Sequence, residues 1–149
     1  MNYIIYSLIA FIAGGAIAIQ AGMNSRLGVL LKSSFLAATV VYVGNFLFTV
    51  LYIVISSGSI PDSKSLKVVP VYLWFSGSIL SAFAISSMYW LIPRAGVGPM
   101  MSFYLAGQLL FSIIAGHFGW FHLPVTQITT MKLAGISLLL ASIVLINHG

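Results

Sequence analysis

The chain has 149 residues, 60% of them hydrophobic and 5% charged, with a net charge of +5 and a mean hydropathy of +1.12. A soluble domain carries about 25% charged residues, so this composition calls for a membrane as solvent, and the length for one domain. The basic balance reflects missing acids: six Lys/Arg stand singly against one carboxylate side chain, and there is no cysteine. That is not the clustered footprint of a nucleic-acid partner, and it excludes disulfides and Cys-ligated metals.

Residues 3–22 are the first charge-free apolar run, long enough as a helix to cross a bilayer core. No Lys or Arg precedes it and it is longer than a signal-peptide core, which predicts a retained helix. Ala10, Gly14, Ala18 and Gly22 recur every fourth residue, a stripe on which another backbone can pack closely. The stretch from Gln20 to Gly28 is predicted to close this helix; Gln20 and Asn24 share a face if the helix continues. Gln20 lies deep enough for a cavity role, whereas Arg26 reads equally as a snorkelling interfacial cation. Arg26 and Lys32 mark a polar connection ending at Ser33 and Ser34.

Residues 35–56 form the second run, with Tyr42, Asn45 and Thr49 in one polar stripe. Asn45 near mid-span must find a hydrogen bond, because an unpaired polar group in hydrocarbon costs several kcal/mol. Interhelical bonding and cavity lining both answer that need. Residues 57–70 are the hydrophilic loop and hold Asp62, which reads as a solvated or capping residue. Residues 71–92 are the third run, with aromatics at both ends to suit two interfaces, and Ser78, Ala82 and Ser86 in a second small-residue stripe. Trp90 reads as an interfacial residue; Tyr89 has its hydroxyl next to a turn predicted from Pro93 to Pro99.

Residues 100–116 are the fourth run. Tyr104 and Gln108, four apart, share a helical face and should point at protein or water. His117 and His122 flank an aromatic connection without a third ligand nearby, so no metal is expected. Residues 132–147 are the fifth and last run. Five spans put the termini on opposite faces. The face with the N-terminus receives Lys64, Lys67 and Lys132; the other receives Arg26, Lys32 and Arg94. Orientation follows the Lys/Arg excess, and three against three leaves none. Such a chain is expected to insert both ways and pair in opposite orientations, as inverted-repeat transporters do within one chain.

The motifs Leu73-Trp74-Phe75-Ser76-Gly77-Ser78, Ile92-Pro93-Arg94-Ala95-Gly96-Val97, Leu105-Ala106-Gly107-Gln108-Leu109-Leu110 and His117-Phe118-Gly119, preceded by Gln20, Asn24 and Leu27-Gly28, stand in this order along nearly the whole chain. In order and spacing the chain resembles the five-span YdcZ-like branch of the bacterial drug/metabolite transporter superfamily. The resemblance implies a multi-pass inner-membrane protein, a small-molecule cargo, and a five-helix unit that pairs into ten helices. It also implies an aspartate eight residues after Gln108, where this chain has Gly116. Proton-coupled export of cations usually relies on an intramembrane acid, and none remains in the spans.

The expectation is therefore an all-α integral membrane protein of five helices, half of a ten-helix inverted-repeat dimer. Its function is predicted as alternating-access transport of a neutral or anionic small molecule by an antiparallel homodimer or a pair with a homologous subunit, without a cofactor. The candidate substrate-binding residues are Gln20, Asn24, Tyr42, Asn45, Tyr89, Arg94, Tyr104 and Gln108. An accessory membrane subunit whose polar residues only join helices is the alternative. An enzyme is not expected: there is no His-Glu-x-x-His, no acid partner for a Ser–His pair and no Gly-rich phosphate loop.

Overall fold

The computed structural model describes residues 2–56, 63–120 and 124–148; Asp62 and His122 lie outside the described residues. Six helices follow in order: α1 (Asn2–Leu30), α2 (Ser34–Ile55), the short α3 (Ser63–Val68), α4 (Val71–Ala95), α5 (Val97–His117) and α6 (Thr130–His148). Among the described residues there is no strand. All but α3 are long and apolar enough to cross a membrane, which gives the five spans expected. The chain divides into two compact units, Met1–Arg94 and Ala95–Gly149.

In the first unit α1 packs against α2. Ala21, Ser25 and Gly28 of α1 and Ala37 and Ala38 of α2 are buried, and Gly28 meets Ser34 and Ala37 across the two helices. Small residues suit this contact, since dispersion between close backbones joins helices where lipid is as apolar as the side chains. A Cβ on Gly28 would stand 3.6 Å from that of Ala37. The helix predicted to close after residue 22 runs on to Leu30. Neither Gly22 nor Gly28 breaks it, and Ser25 satisfies its own hydroxyl on the Gly22 carbonyl at 2.8 Å. At 1.5 Å per residue α1 reaches about 43 Å, so its last turns extend beyond a hydrocarbon core of about 30 Å.

α1 stops in a Schellman motif. The Ser33 N–H reaches the Gly28 carbonyl at 3.0 Å and the Lys32 N–H reaches the Val29 carbonyl at 3.1 Å. The left-handed position of this motif usually holds glycine; here Lys32 takes it, with φ 52°. Ser33 then caps α2, its hydroxyl accepting from the Leu36 N–H at 3.2 Å.

α4 joins these helices through side chains. Asn24 Nδ2 donates to Tyr89 Oη at 2.9 Å, and the hydroxyls of Tyr42 and Ser81 lie 2.8 Å apart. Ser86, Met88, Tyr89 and Ile92 are buried, whereas large side chains such as Ile79, Leu80 and Phe83 are exposed, as lipid contact requires. The turn predicted from Pro93 to Pro99 shrinks to Gly96, at φ 88°. Pro93 lies inside the last turn of α4. Pro99 lies in the first turn of α5, where its missing N–H has no acceptor to lose.

In the second unit α5 packs against α6, with Ala106 and Ile143 buried. Asn147 Nδ2 donates to the Ile143 carbonyl at 2.8 Å. Beyond α5 the Thr126 N–H bonds the Gly116 carbonyl at 2.9 Å, and Thr129 caps α6 through the Lys132 N–H at 3.3 Å. Lys132 Nζ turns back to the Gln127 carbonyl at 2.7 Å.

Candidate functional site

A cleft of about 440 Å³ opens where the α1–α2 turn meets the end of α4, lined by Gly28, Lys32, Ser33, Ser34, Tyr89 and Arg94 among others. An adjoining recess of about 250 Å³ shares Ser34, Phe35 and Trp90 with it and adds Ser86 and Ser87. Among the described residues no acid lines either space. Arg94, with no carboxylate partner among the described residues, lies over the Trp90 ring with its guanidinium carbon 3.9 Å from the centroid, and donates to the Trp90 carbonyl. The ring face carries negative potential, which holds the cation without cancelling its charge.

Of the eight residues singled out in the sequence, the first unit brings three to this end of the molecule. Tyr89 is 2% exposed and lines the cleft. Asn24, half-buried, holds the Tyr89 hydroxyl from α1. Arg94 lines the rim. Tyr42 stands apart on a groove of about 580 Å³ with Gly77, Ser78, Ser81 and Ala82, bonded to Ser81. Gln20 and Asn45 are exposed on α1 and α2 with no side-chain hydrogen bond to a described residue. In the second unit Tyr104 is half-buried and Gln108 is exposed on α5, likewise without a partner there.

The sequence reading missed Lys32, Ser34 and Ser86. In the sequence Lys32 belongs to a polar connection and Ser86 to a small-residue stripe. A signal existed: the first and third connections fall on one membrane face, so Lys32 and Arg94 had to share that end.

Five apolar spans that carry a few uncharged polar side chains define a small multi-pass membrane protein. A family model described as "Putative inner membrane exporter, YdcZ" matches residues 5–145. The chain belongs to this family, and it is a multi-pass protein of the bacterial inner membrane. Membership is consistent with a transporter. Neither the curated proteins nor the solved structures gave a match.

Proposed function

We propose that the chain is a carrier that moves a neutral or anionic small molecule by alternating access, and that its five spans act as one transmembrane unit paired with a second copy in the opposite orientation. The observation that carries this reading is the set of exposed amides. Gln20, Asn45 and Gln108 sit within apolar helices, yet have no side-chain partner among the described residues. In hydrocarbon such groups cost several kcal/mol each, so their partners are a second subunit or a substrate-lined cavity. The small-residue stripe of α1 supports pairing: a Cβ on Gly14 would meet nothing within 4 Å, which leaves room for another backbone. The equal division of Lys and Arg between the faces supports antiparallel pairing.

Substrate contact falls to Asn24, Tyr89 and Arg94 at the cleft and to Tyr42, Asn45, Tyr104, Gln108 and Gln20 along the spans. The test has two parts. Purified protein in liposomes is screened for saturable flux of small neutral and anionic metabolites; absence of flux for every compound would favour an accessory subunit. Single cysteines at positions 26 and 67 are labelled from one side of intact cells. Labelling of both supports opposite insertion, and labelling of only one removes the antiparallel homodimer.

A further inference from the structure

Among the described residues the cleft holds two cations, Lys32 and Arg94, and no acid. It also holds the start of a 22-residue helix. The first N–H groups of a helix have no intrahelical acceptor and carry the positive end of its dipole. In α2 the Leu36 N–H is already taken by the Ser33 hydroxyl and the Ala37 N–H by the Ser33 carbonyl. The N–H groups of Ser34 and Phe35, both lining the cleft, remain for a ligand.

An independent observation lies next door. Ser86, 3% exposed and lining the adjoining recess, carries the buried side-chain oxygen that lacks any hydrogen-bond partner among the described residues. Four serines elsewhere in the helices, Ser25, Ser102, Ser112 and Ser142, each donate to a carbonyl one turn back. Ser86 does not. A buried hydroxyl left unpaired is costly, and a ligand entering the recess relieves that cost. Lys32 supplies a further hint of function, because it occupies a left-handed position that glycine would fill without strain.

We infer that this cleft is an oxyanion site, which takes a carboxylate or phosphate group between Lys32, Arg94 and the first turn of α2, with the Ser86 hydroxyl as its buried hydrogen-bond partner. As a substrate site it rests on the carrier reading above; as a binding site it stands alone. Arg94, pre-set over Trp90, needs little ordering to meet the anion. The two cations supply long-range attraction, and the N–H groups and Ser86 select for oxygen acceptors over a simple halide.

Binding is measured on the full chain with Trp74→Phe and Trp120→Phe, leaving Trp90 at the cleft as reporter. Inorganic phosphate is titrated in maltoside micelles, which contain no phosphate, at constant ionic strength set with chloride. The expected result is a saturable change in Trp90 fluorescence. Arg94→Gln and Lys32→Gly should each weaken binding by about tenfold or more, and Ser86→Ala by about tenfold, the scale of a lost hydrogen bond to a charged group. Arg26→Gln, outside the cleft, should leave it unchanged. Lys32→Gly relieves the left-handed backbone and should raise the melting temperature, so its loss of binding cannot reflect misfolding. A response that does not saturate, or one equal in Ser86→Ala, Lys32→Gly and Arg26→Gln, overturns the site.

Added phosphatidylglycerol separates the two sources of the anion. Competition with phosphate identifies a lipid headgroup as the occupant, and its absence a soluble anion; both require the site. Saturable binding without flux in liposomes removes the carrier reading and keeps the site. Anion flux with the same half-saturation in all these variants overturns the site and keeps the carrier.

Discussion

The hydrogen bond between Asn24 and Tyr89 ties α1 to α4 across 65 residues of sequence. Tyr89 is 2% exposed, whereas Asn24 is only half-buried. Removing one partner therefore has unequal effects. Tyr89→Phe leaves an amide near water, and should cost about 0.6 kcal/mol, the mean for an interhelical hydrogen bond in a membrane protein. Asn24→Leu strands a phenol hydroxyl in a dry place and should cost more, about 1–3 kcal/mol. The double variant removes both groups, so it should be less destabilised than the sum of the two, with a coupling of about 0.6–1.7 kcal/mol. Reversible unfolding in mixed dodecyl sulfate and maltoside micelles gives all four stabilities. A coupling near zero, or Tyr89→Phe costing more than Asn24→Leu, would refute the claim that this bond docks α4.

A Cβ on Gly116 would stand 2.7 Å from Thr126 Oγ1, while nothing lies within 4 Å of the equivalent atom at Gly135. Gly116→Ala should therefore lower stability by about 1–3 kcal/mol, and Gly135→Ala should raise it by about 0.5–1 kcal/mol, both read from the same unfolding curves. Asn45→Leu and Gln108→Leu should leave the isolated chain's melting point unchanged but weaken self-association or substrate affinity, tenfold for each ~1.4 kcal/mol of lost contact; a drop in melting point at a protein concentration where the chain is monomeric would assign them to packing within one chain. An anionic substrate should leave potassium-loaded liposomes faster when valinomycin makes the interior negative; an equal rate with and without the potential would count against net negative charge on the transported species.

The spans were legible because each is about twenty residues of nearly charge-free apolar sequence, and no soluble fold competes for such runs. Their ends were not. Proline and glycine between Pro93 and Pro99 spell a turn, yet both prolines fit the terminal turns of helices and only Gly96 leaves helical geometry. The stop of α1 was hidden because its left-handed residue is Lys32, and a lysine carries no such signal. Polar residues inside the spans could be named from sequence, since lipid makes each of them conspicuous. Which ones meet could not: Asn24 finds Tyr89, whereas Gln20, four residues earlier on the same helix face, stays exposed. The distinction depends on where α4 crosses α1, and helical periodicity contains no information about that.

The electrostatics of the chain bear on how an exporter can run without an acid in its described spans. Arg94 is held by the Trp90 ring and carbonyl in place of a carboxylate, and Lys32 has no ion-pair partner among the described residues. Their charges therefore remain available at the mouth of the cleft. Near a low-dielectric wall two charges interact more strongly than in water, on the order of 4 kcal/mol at 4 Å for an effective dielectric constant of about 20, so a cation is repelled there and an anion drawn in. Gly116 closes the other route. Thr126 already fills the direction in which a side chain would leave residue 116, and its N–H holds the Gly116 carbonyl. A side chain there would have to move the Thr126 hydroxyl, so packing disfavours an acid at this position. On the oxyanion reading, none is required. An inside-negative membrane already expels an anion, with about 2.3 kcal/mol per charge for each 100 mV, equivalent to a concentration ratio of roughly fiftyfold. A cation exporter works against that field, and one coupled to protons usually relies on an intramembrane carboxylate to do so. An anion exporter moves with it, and a cleft of cations, helix N–H groups and one unpaired hydroxyl is the chemistry that such a carrier needs.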